Sequence, residues 1–567
     1  MSENGHREQE RFEGADPELG EPAVRGMGDG PMGPIKTRQP AGLWVLFITE
    51  MWERFSYYGM RALFVLYLYK TTAPMLADGT ANNNPGFGWD KADATTLYGI
   101  YTFMVYLTSI FEGIAADRLL GTHRSMILDG LIIAAGHIML AFMSVFQIEP
   151  GQVVTMQTSP GALLSFMLGC SLIIIGTGFF KPCVSVMVGQ LYEKDDPRRD
   201  SGFTIFYMGI NLGAFFSPLV AGSLGEKVGW HWGFGSAAVG MILGLIFYSL
   251  LRKRYLGTIG SPPEKPLVGK KRWAVYGSIA VLVGIPLLPL ALYITDSLAP
   301  ITDAWSWFAT KLGPLGMAAF LSSVFLGSVL LFIFKQDKEA RSRLAVVFIL
   351  AFFGNIFFWT AFEQVGSSMT VFANDNTNRH VFGWEFPATW FQSINPLTIL
   401  LFAPVFSWLW IFLDRRRKNP STPMKFAFGL WLLGLAFLAM VGGSLQARDG
   451  QLAGPYWLLI TYVAVTWGEL CLSPVGLSMV TKLSPKPLQS LMMGLWFFSL
   501  ALSNLTAGLV ASFSEKFISQ DGADPELTFI TPGLPGFFLM LVIFPIAAGV
   551  VIAIITPLLK KMMKGIH

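Results

Sequence analysis

Charged residues are scarce in this chain. Asp, Glu, Lys and Arg make up only 14% of its 567 residues, whereas an ordinary soluble domain carries about 25%. Hydrophobic residues make up 53%. These proportions exclude a soluble globular protein and indicate one that crosses a membrane many times. The net charge of +4 is small, and it gives no indication of a nucleic-acid partner.

Cysteine and histidine are also rare. The three cysteines, Cys170, Cys183 and Cys471, all fall in apolar segments, which is not the pattern of a disulfide framework or a metal site. With six histidines and no HExxH or paired-cysteine motif, the sequence predicts no metal, no cofactor and no enzymatic centre. Residues 1–40 have no apolar core of the kind that a signal peptide needs, and their polar, Gly/Pro-rich composition predicts a disordered tail.

Apolar runs long enough to cross a bilayer recur along the rest of the chain. We predict fourteen membrane spans, at residues 42–70, 94–116, 125–146, 161–190, 202–224, 232–251, 273–295, 314–334, 343–372, 388–413, 425–444, 455–482, 489–513 and 534–559. Lys and Arg cluster in the loops after every second span, and the loops on the other side are poor in both. Because basic loops stay in the cytoplasm, both termini are predicted to be cytoplasmic.

Spans seven and eight differ from the others, since their centres carry no charged residue and a Gly/Pro/Lys-rich segment precedes them. Without them, six spans remain on either side, which is the pattern of the major facilitator architecture. The sequence therefore predicts an all-α membrane protein with twelve core helices in two bundles. The predicted parts are a tail at 1–40, an N-terminal bundle at 41–252, a linker at 253–272, two additional helices at 273–334, a C-terminal bundle at 335–560 and a tail at 561–567.

The first span carries an unusual density of charge. Each charge at the centre of a bilayer costs about 2.5–3.5 kcal/mol on insertion scales. At about 100° per residue, the polar residues of this span lie on one side of the helix; they are Glu50, Glu53, Arg54, Tyr57, Tyr58 and Arg61. A structural ion-pair cluster is one interpretation. A water-accessible polar pathway accounts better for two carboxylates, two guanidiniums and two tyrosines in one stripe.

Polar residues recur deep in later spans. Each of them could serve a functional site, or it could serve helix packing or, for a lysine, reach the membrane interface by snorkelling. They are Lys181, Tyr207, Asn211, Trp359, Glu363, Asn395, Glu469, Ser473 and Trp496. Among the deep charges, four glutamates oppose Arg54, Arg61 and Lys181, so one carboxylate is in excess. Such a set avoids most of the burial penalty only if its members pair. A pairing that depends on conformation would make proton affinity depend on conformation, which is the basis of proton coupling.

Six strings together resemble the proton-dependent oligopeptide transporter family of the major facilitator superfamily. The most specific is EMWERFSYYGMR at Glu50–Arg61, and it is followed in order by GTGFFKP, FYMGINLG, FWTAFEQ, QSINP and GELCLSP. The resemblance covers nearly all of residues 42–560. It implies a monomeric symporter that imports di- and tripeptides with protons across the bacterial inner membrane.

The resemblance also implies roles at matching positions. Proton coupling falls to Glu50, Glu53, Arg54, Lys181 and Glu363. Peptide binding falls to Arg54, Tyr57, Tyr58, Tyr106, Lys181, Tyr207, Asn211, Trp359, Asn395, Glu469, Ser473 and Trp496. Gating pairs are implied between Arg61 and Glu363 on the outer side, and between Lys181 and Glu469 on the inner side.

Two residues depart from the family pattern. Cys183 stands where KPNVS strings have Asn, and Glu112 replaces the first glycine of the loop motif GGxxADRxxG. These changes bear on kinetics and on the inner gate. The alternatives are a related transporter of another small anion such as nitrate, which Glu469 disfavours, and a membrane enzyme or channel, for which no metal or nucleophile constellation is visible.

Overall fold

The computed structural model describes residues 38–76, 79–115, 121–146, 148–193, 196, 198–261, 329–485, 488–518 and 525–565, with isolated positions at 269, 273, 277, 323, 326 and 327. Within these ranges, the side chains of 109–115, 179, 181, 182, 449 and 490 are outside the description. The predicted tail at 1–40 and the two additional spans at 273–334 therefore lie almost wholly outside the described residues, and so do the side chains of Glu112 and Lys181.

The first part of the chain forms long helices. They are α1 (Ala41–Tyr69), α2 (Lys91–Ala115), α3 (Thr122–Ala141), α4 (Pro160–Gln190), α5 (Arg199–Ser217), α6 (Ser223–Lys227) and α7 (Trp230–Tyr255). A 3₁₀ turn at Phe142–Val145 extends α3, and a π turn at Pro218–Gly222 joins α5 to α6. We call α1–α7 the N-terminal bundle.

The second part of the chain is also largely helical, and we call its helices the C-terminal bundle. They are α8 (Lys338–Ile349), α9 (Ile356–Phe362), α10 (Ser368–Asp375), α11 (Ile394–Arg415), α12 (Thr422–Gln446), α13 (Tyr456–Leu483), α14 (Gln489–Ser512) and α15 (Leu534–Met562). A π turn at Leu350–Asn355 and a 3₁₀ turn at Glu363–Gly366 interrupt the run from α8 to α10. Further 3₁₀ turns lie at Ala388–Ser393, Arg448–Gly450 and Phe513–Phe517. The short strands β1 (His380–Val381) and β2 (Trp384–Glu385) pair antiparallel, with Val381 opposite Trp384.

Ten of the described helical runs are long and apolar enough to cross a membrane. A helix satisfies its own backbone hydrogen bonds, which is what an apolar solvent requires of a spanning segment. The predicted all-α membrane class is confirmed. Twelve of the fourteen predicted spans coincide with described helices to within a few residues at each end. Helix α1 is not among the ten, and it carries the four charged side chains described above.

Helices of the two bundles pack closely. In the N-terminal bundle α1 contacts α5 and α7, and in the C-terminal bundle α12 contacts α13 and α15. The bundles meet where α2 packs on α14 and α5 on α11. At the first crossing, a Cβ atom on Gly508 would lie 2.6 Å from the Cα of Gly99 and 2.6 Å from the carbonyl oxygen of Thr95. Only glycine fits here, as at other close crossings of membrane helices.

Helix ends group at two faces of the molecule. On one face, which we call the basic face, Gln190 accepts a hydrogen bond from the N–H of Gly260, and Ser342 donates to the carbonyl of Met562. The helix ends that meet there carry Arg252, Lys253, Arg254, Lys560 and Lys561. On the opposite face, Asn84 donates to the carbonyl of Gly225. Which face lies in the cytoplasm stays a prediction from the distribution of charge.

A valine at position 508 should disturb the crossing of α2 and α14. Overpacking a tight contact costs about 1–3 kcal/mol, so we expect Gly508→Val to lower the apparent melting temperature in detergent. Gly235→Val is the matched control, because a Cβ there meets only the Ala141 Cβ, at 3.7 Å. Equal melting temperatures for the two variants would contradict this account of the crossing.

Candidate functional site

The charged stripe of α1 is deeply buried. Glu50, Glu53, Arg54 and Arg61 are 2%, 1%, 4% and 8% exposed. The Nε atom of Arg54 lies 3.0 Å from Oε1 of Glu50, and it also forms an ion pair with Oε2 of Glu53. Two carboxylates therefore share one guanidinium. Buried charges of this kind persist only when they are paired.

Arg61 joins α1 to the C-terminal bundle. Its Nη2 atom forms an ion pair with Oε2 of Glu363, and its Nε donates a hydrogen bond to the hydroxyl of Tyr98. Glu363 begins the 3₁₀ turn that ends α9, so its side chain lies at a break in the helix. Sequence reasoning missed Tyr98. The only signal was a second tyrosine two turns before Tyr106 on the same predicted span.

Glu469 lies on α13, in the other bundle from Arg54. Its Oε2 accepts a hydrogen bond from Nδ2 of Asn395 at 3.0 Å, and the same amide nitrogen lies 2.9 Å from Oγ1 of Thr466. The Asn395 amide thus holds the Glu469 carboxylate in one orientation. Asn211, on α5, donates to the carbonyl of Tyr207 at 2.9 Å.

A cavity of about 260 Å³ lies between the bundles and collects most of these groups. The predicted residues that line it are Glu50, Arg54, Tyr58, Arg61, Tyr106, Tyr207, Asn211, Trp359, Glu363, Asn395 and Glu469. Sequence reasoning missed several others, among them Ser185, Ile210, Phe362, Gln392 and Ile399. Gln392 stands in the quoted QSINP string, where only the asparagine had been singled out.

Four other predicted residues do not line this cavity. Glu53 lies behind Arg54, and Tyr57 packs against the Tyr58 ring with 5.2 Å between centroids. Ser473 also lies outside the lining. Trp496 is 2% exposed inside the C-terminal bundle, with its ring 6.1 Å from that of Phe426. These placements describe the conformation seen here. The predicted pairing of Lys181 with Glu469 falls on a side chain outside the description.

A second set of contacts joins the bundles at the opposite face. Glu226, on α6, accepts hydrogen bonds from the backbone N–H groups of Ala388 and Thr389 at 2.9 and 3.0 Å. It also accepts one from the Thr389 hydroxyl at 2.7 Å. Its carboxylate thereby caps the 3₁₀ turn that leads into α11. Gly222 permits the approach, since a Cβ there would collide with Oγ1 of Thr389.

Charges of alternating sign surround that cap. Lys227 Nζ lies 3.0 Å from Glu385 Oε2, and Arg379 bridges Glu385 at 2.7 Å and Glu226 at 3.9 Å. Partial burial by itself would raise the pKa of Glu385, but the hydrogen bond from Lys227 and the charge of Arg379 outweigh it and hold the pKa below its ordinary value. We call these four residues the loop charge ring. Nothing in the sequence indicated it, because the partners that come from different bundles are more than 150 positions apart.

A sequence model of the POT family matches residues 124–527. The chain belongs to the POT family. It is 39% identical over 529 residues to the uncharacterized transporter YclF of Bacillus subtilis, covering 93% of this chain and 96% of the relative. It is 38% identical over 466 residues to the di-/tripeptide transporter of Lactococcus lactis subsp. cremoris, covering 81% and 87%.

Solved POT structures have the same fold. A crystal structure of the peptide transporter POT in complex with sulfate matches with a TM-score of 0.76 and 35% identity, covering 93% of this chain and 96% of that one. The predicted major facilitator fold is confirmed, although the number of helices is not. This POT-family protein is a transporter and not an enzyme.

Removing one member of the Arg61–Glu363 pair should destabilise the POT-family fold more than removing both. An uncompensated buried charge costs about 3–5 kcal/mol, whereas replacing both partners by apolar residues is often neutral. We expect Arg61→Met to lower the melting temperature and the double variant with Glu363→Met to recover most of the loss. Lys91→Met is the control, because its pair with Asp375 is 32% and 25% exposed. A double variant less stable than Arg61→Met would contradict this account.

Proposed function

We propose that this POT-family protein is a proton-coupled symporter that imports di- and tripeptides by alternating access, as a monomer in a bacterial inner membrane. The observation that carries the proposal is the polarity of the cavity between the bundles. Arg54 lies on the N-terminal wall, and Glu469 lies on the C-terminal wall. This separation of charge matches a substrate that carries one charge of each sign.

A short peptide is a zwitterion, with an ammonium at one end and a carboxylate at the other. Arg54 offers its guanidinium to the carboxylate, and charge-assisted bonds of this kind are the strong ones. Glu469, held by Asn395, offers its carboxylate to the ammonium. A peptide bound at both ends draws the two bundles together, since each end is held by a different bundle.

The relatives and the size of the cavity support this substrate class. Proteins similar to this chain carry the names di-/tripeptide transporter and peptide transporter, and a similar POT structure is a complex with alafosfalin. The cavity of about 260 Å³ lies just below the ~300–1,000 Å³ usual for small-molecule pockets. That volume suits a peptide of two or three residues and excludes a long chain.

Proton coupling follows from the sharing of Arg54. When a peptide carboxylate takes the guanidinium, Glu50 and Glu53 lose the positive charge of Arg54 beside them. Withdrawing a neighbouring cation favours the protonated form of a buried carboxylate, so peptide binding and proton binding reinforce each other. When the peptide leaves the site, Arg54 pairs again with Glu50 and Glu53. The restored positive charge favours their ionised form, so the proton is released.

The contacts between the bundles support alternating access. In this conformation Arg61–Glu363 joins the bundles at the cavity, and Lys91–Asp375 and the Glu226 cap join them nearer the opposite face. A peptide can enter from there only after those contacts part. With the basic face in the cytoplasm, as its loops indicate, the conformation seen here is closed toward the outside.

Proton-driven uptake into liposomes tests the proposal. With acid outside and a negative interior, the purified protein should accumulate dialanine, and nitrate should not compete. Glu53→Gln should reduce this uphill uptake at least tenfold, because the variant lacks the proton site. It should retain peptide counterflow, because the peptide site is unchanged. Lys516→Gln, in an exposed pair with Glu526, is the control. No uptake of any di- or tripeptide by the wild type would overturn the proposal.

The Glu226 cap should act as an outer gate. Each buried N–H left without an acceptor costs about 1–3 kcal/mol, so Glu226→Ala should shift the population toward the outward-open state by about tenfold. An impermeant maleimide applied from outside to an Ala214→Cys protein reports this, because Ala214 lines the cavity. Glu526→Ala is the control, since Glu526 is 72% exposed. Unchanged labelling would contradict a gating role for Glu226.

A further inference from the structure

A second cavity lies at the basic face of the C-terminal bundle, and it shares no lining residue with the transport cavity. Its volume is about 540 Å³, and its walls are the end of α11, the loop into α12, the last turns of α13 and the end of α15. Four cations and one carboxylate line it, which leaves three positive charges in excess; they are Arg417, Lys425, Lys482, Lys560 and Asp414. We call this the basic pocket.

The start of α12 adds to the positive potential. Its first residue, Thr422, and its N-cap, Ser421, both line the basic pocket. The Ser421 side chain makes no capping hydrogen bond, and the first turn contains no acidic residue. The positive end of this 25-residue helix therefore lies in the pocket wall with no compensating side chain from its own N-cap or first turn. Helix N-termini of this kind favour bound anions.

Local structure positions two of the four cations, Lys425 and Arg417. Lys425 Nζ lies 4.5 Å from the centroid of the Trp410 ring. Arg417 adopts a φ of 55°, which is uncommon for a residue other than glycine. Its N–H donates to the carbonyl of Asp414 at 2.8 Å, and that of Lys418 donates to the carbonyl of Leu413 at 2.9 Å. This left-handed turn ends α11 and places Arg417 at the pocket.

One part of the wall is apolar, and this feature narrows the class of ligand. It is formed by Pro474, Val475, Met479, Leu483 and Met563, while Asn419 and Ser478 add polar groups to the lining. An anion with an apolar body would contact both walls. Basic pockets between membrane helices on the cytoplasmic side bind the headgroups of anionic lipids, and the basic face is the one predicted to be cytoplasmic.

We propose that the basic pocket binds a phosphate group, either in the headgroup of an anionic phospholipid or as free phosphate. The cations and the start of α12 take the phosphate oxygens, and the apolar wall takes the glycerol and the first methylenes when the ligand is a lipid. The site does not depend on the transport cavity, so its failure and the failure of the proposed function are distinguishable.

The test measures lipid retention on the full-length protein from nanodiscs that contain equal amounts of phosphatidylglycerol and phosphatidylcholine. Native mass spectrometry of the wild type should show bound phosphatidylglycerol. Lys482→Gln with Lys560→Gln should reduce that retention at least tenfold. The matched control is Lys561→Gln with Lys564→Gln, which removes the same charge from the same face at positions outside the pocket lining and should retain the lipid.

A second arm separates the two sources of phosphate. Inorganic phosphate is titrated onto the delipidated protein, and the melting temperature is recorded. If phosphate stabilises the wild type but not the double variant at positions 482 and 560, the site binds free phosphate. If the double variant instead loses the bound phosphatidylglycerol, the site binds the lipid. Arg417→Gln repeats both arms in case the double variant does not fold. Variants that match the wild type in both arms would overturn the proposal.

Discussion

A charge in an apolar interior must meet an opposite charge, and this requirement organises the centre of the protein. Arg61 meets its requirement with Glu363, which belongs to the other bundle. Arg54 meets its own within α1, where Glu50 and Glu53 compete for it. Pairing within α1 and pairing between the bundles therefore both use cations that α1 carries. In the function proposed above, a charged substrate competes for these same cations.

The two bundles are joined in different ways at different depths. At the centre the contact is an ion pair between side chains that are nearly excluded from solvent. At the opposite face it is the Glu226 carboxylate, which caps backbone N–H groups beside the charges of Lys227, Arg379 and Glu385. Helices α2 and α14 also cross closely, where Gly99 meets Gly508. The Arg61–Glu363 pair depends on charge, the Glu226 cap on hydrogen-bond geometry and the glycine crossing on side-chain volume.

Sequence reasoning located what periodicity and motifs encode. The α1 stripe was predictable because helical spacing alone brings Glu50, Arg54 and Tyr58 to one side. The spans were predictable because lipid requires long apolar helices. The Glu226 cap was not, since it depends on a loop 160 positions away and on backbone N–H groups that leave no trace in the residue types. Trp496 is a residue that the sequence assigned to the peptide site, but in this conformation its ring packs against Phe426 inside the C-terminal bundle.

The helical segment from Lys338 to Asp375 is not one continuous α-helix. A π turn interrupts it at Leu350–Asn355 and a 3₁₀ turn at Glu363–Gly366, and such interruptions in membrane helices tend to fall at functional positions. The regular α-helical hydrogen-bond pattern is therefore broken on both sides of α9. In the alternating access proposed above, these two breaks are where the backbone of this run would bend. The second of them begins at Glu363, so the residue that pairs with Arg61 also marks a change of backbone geometry.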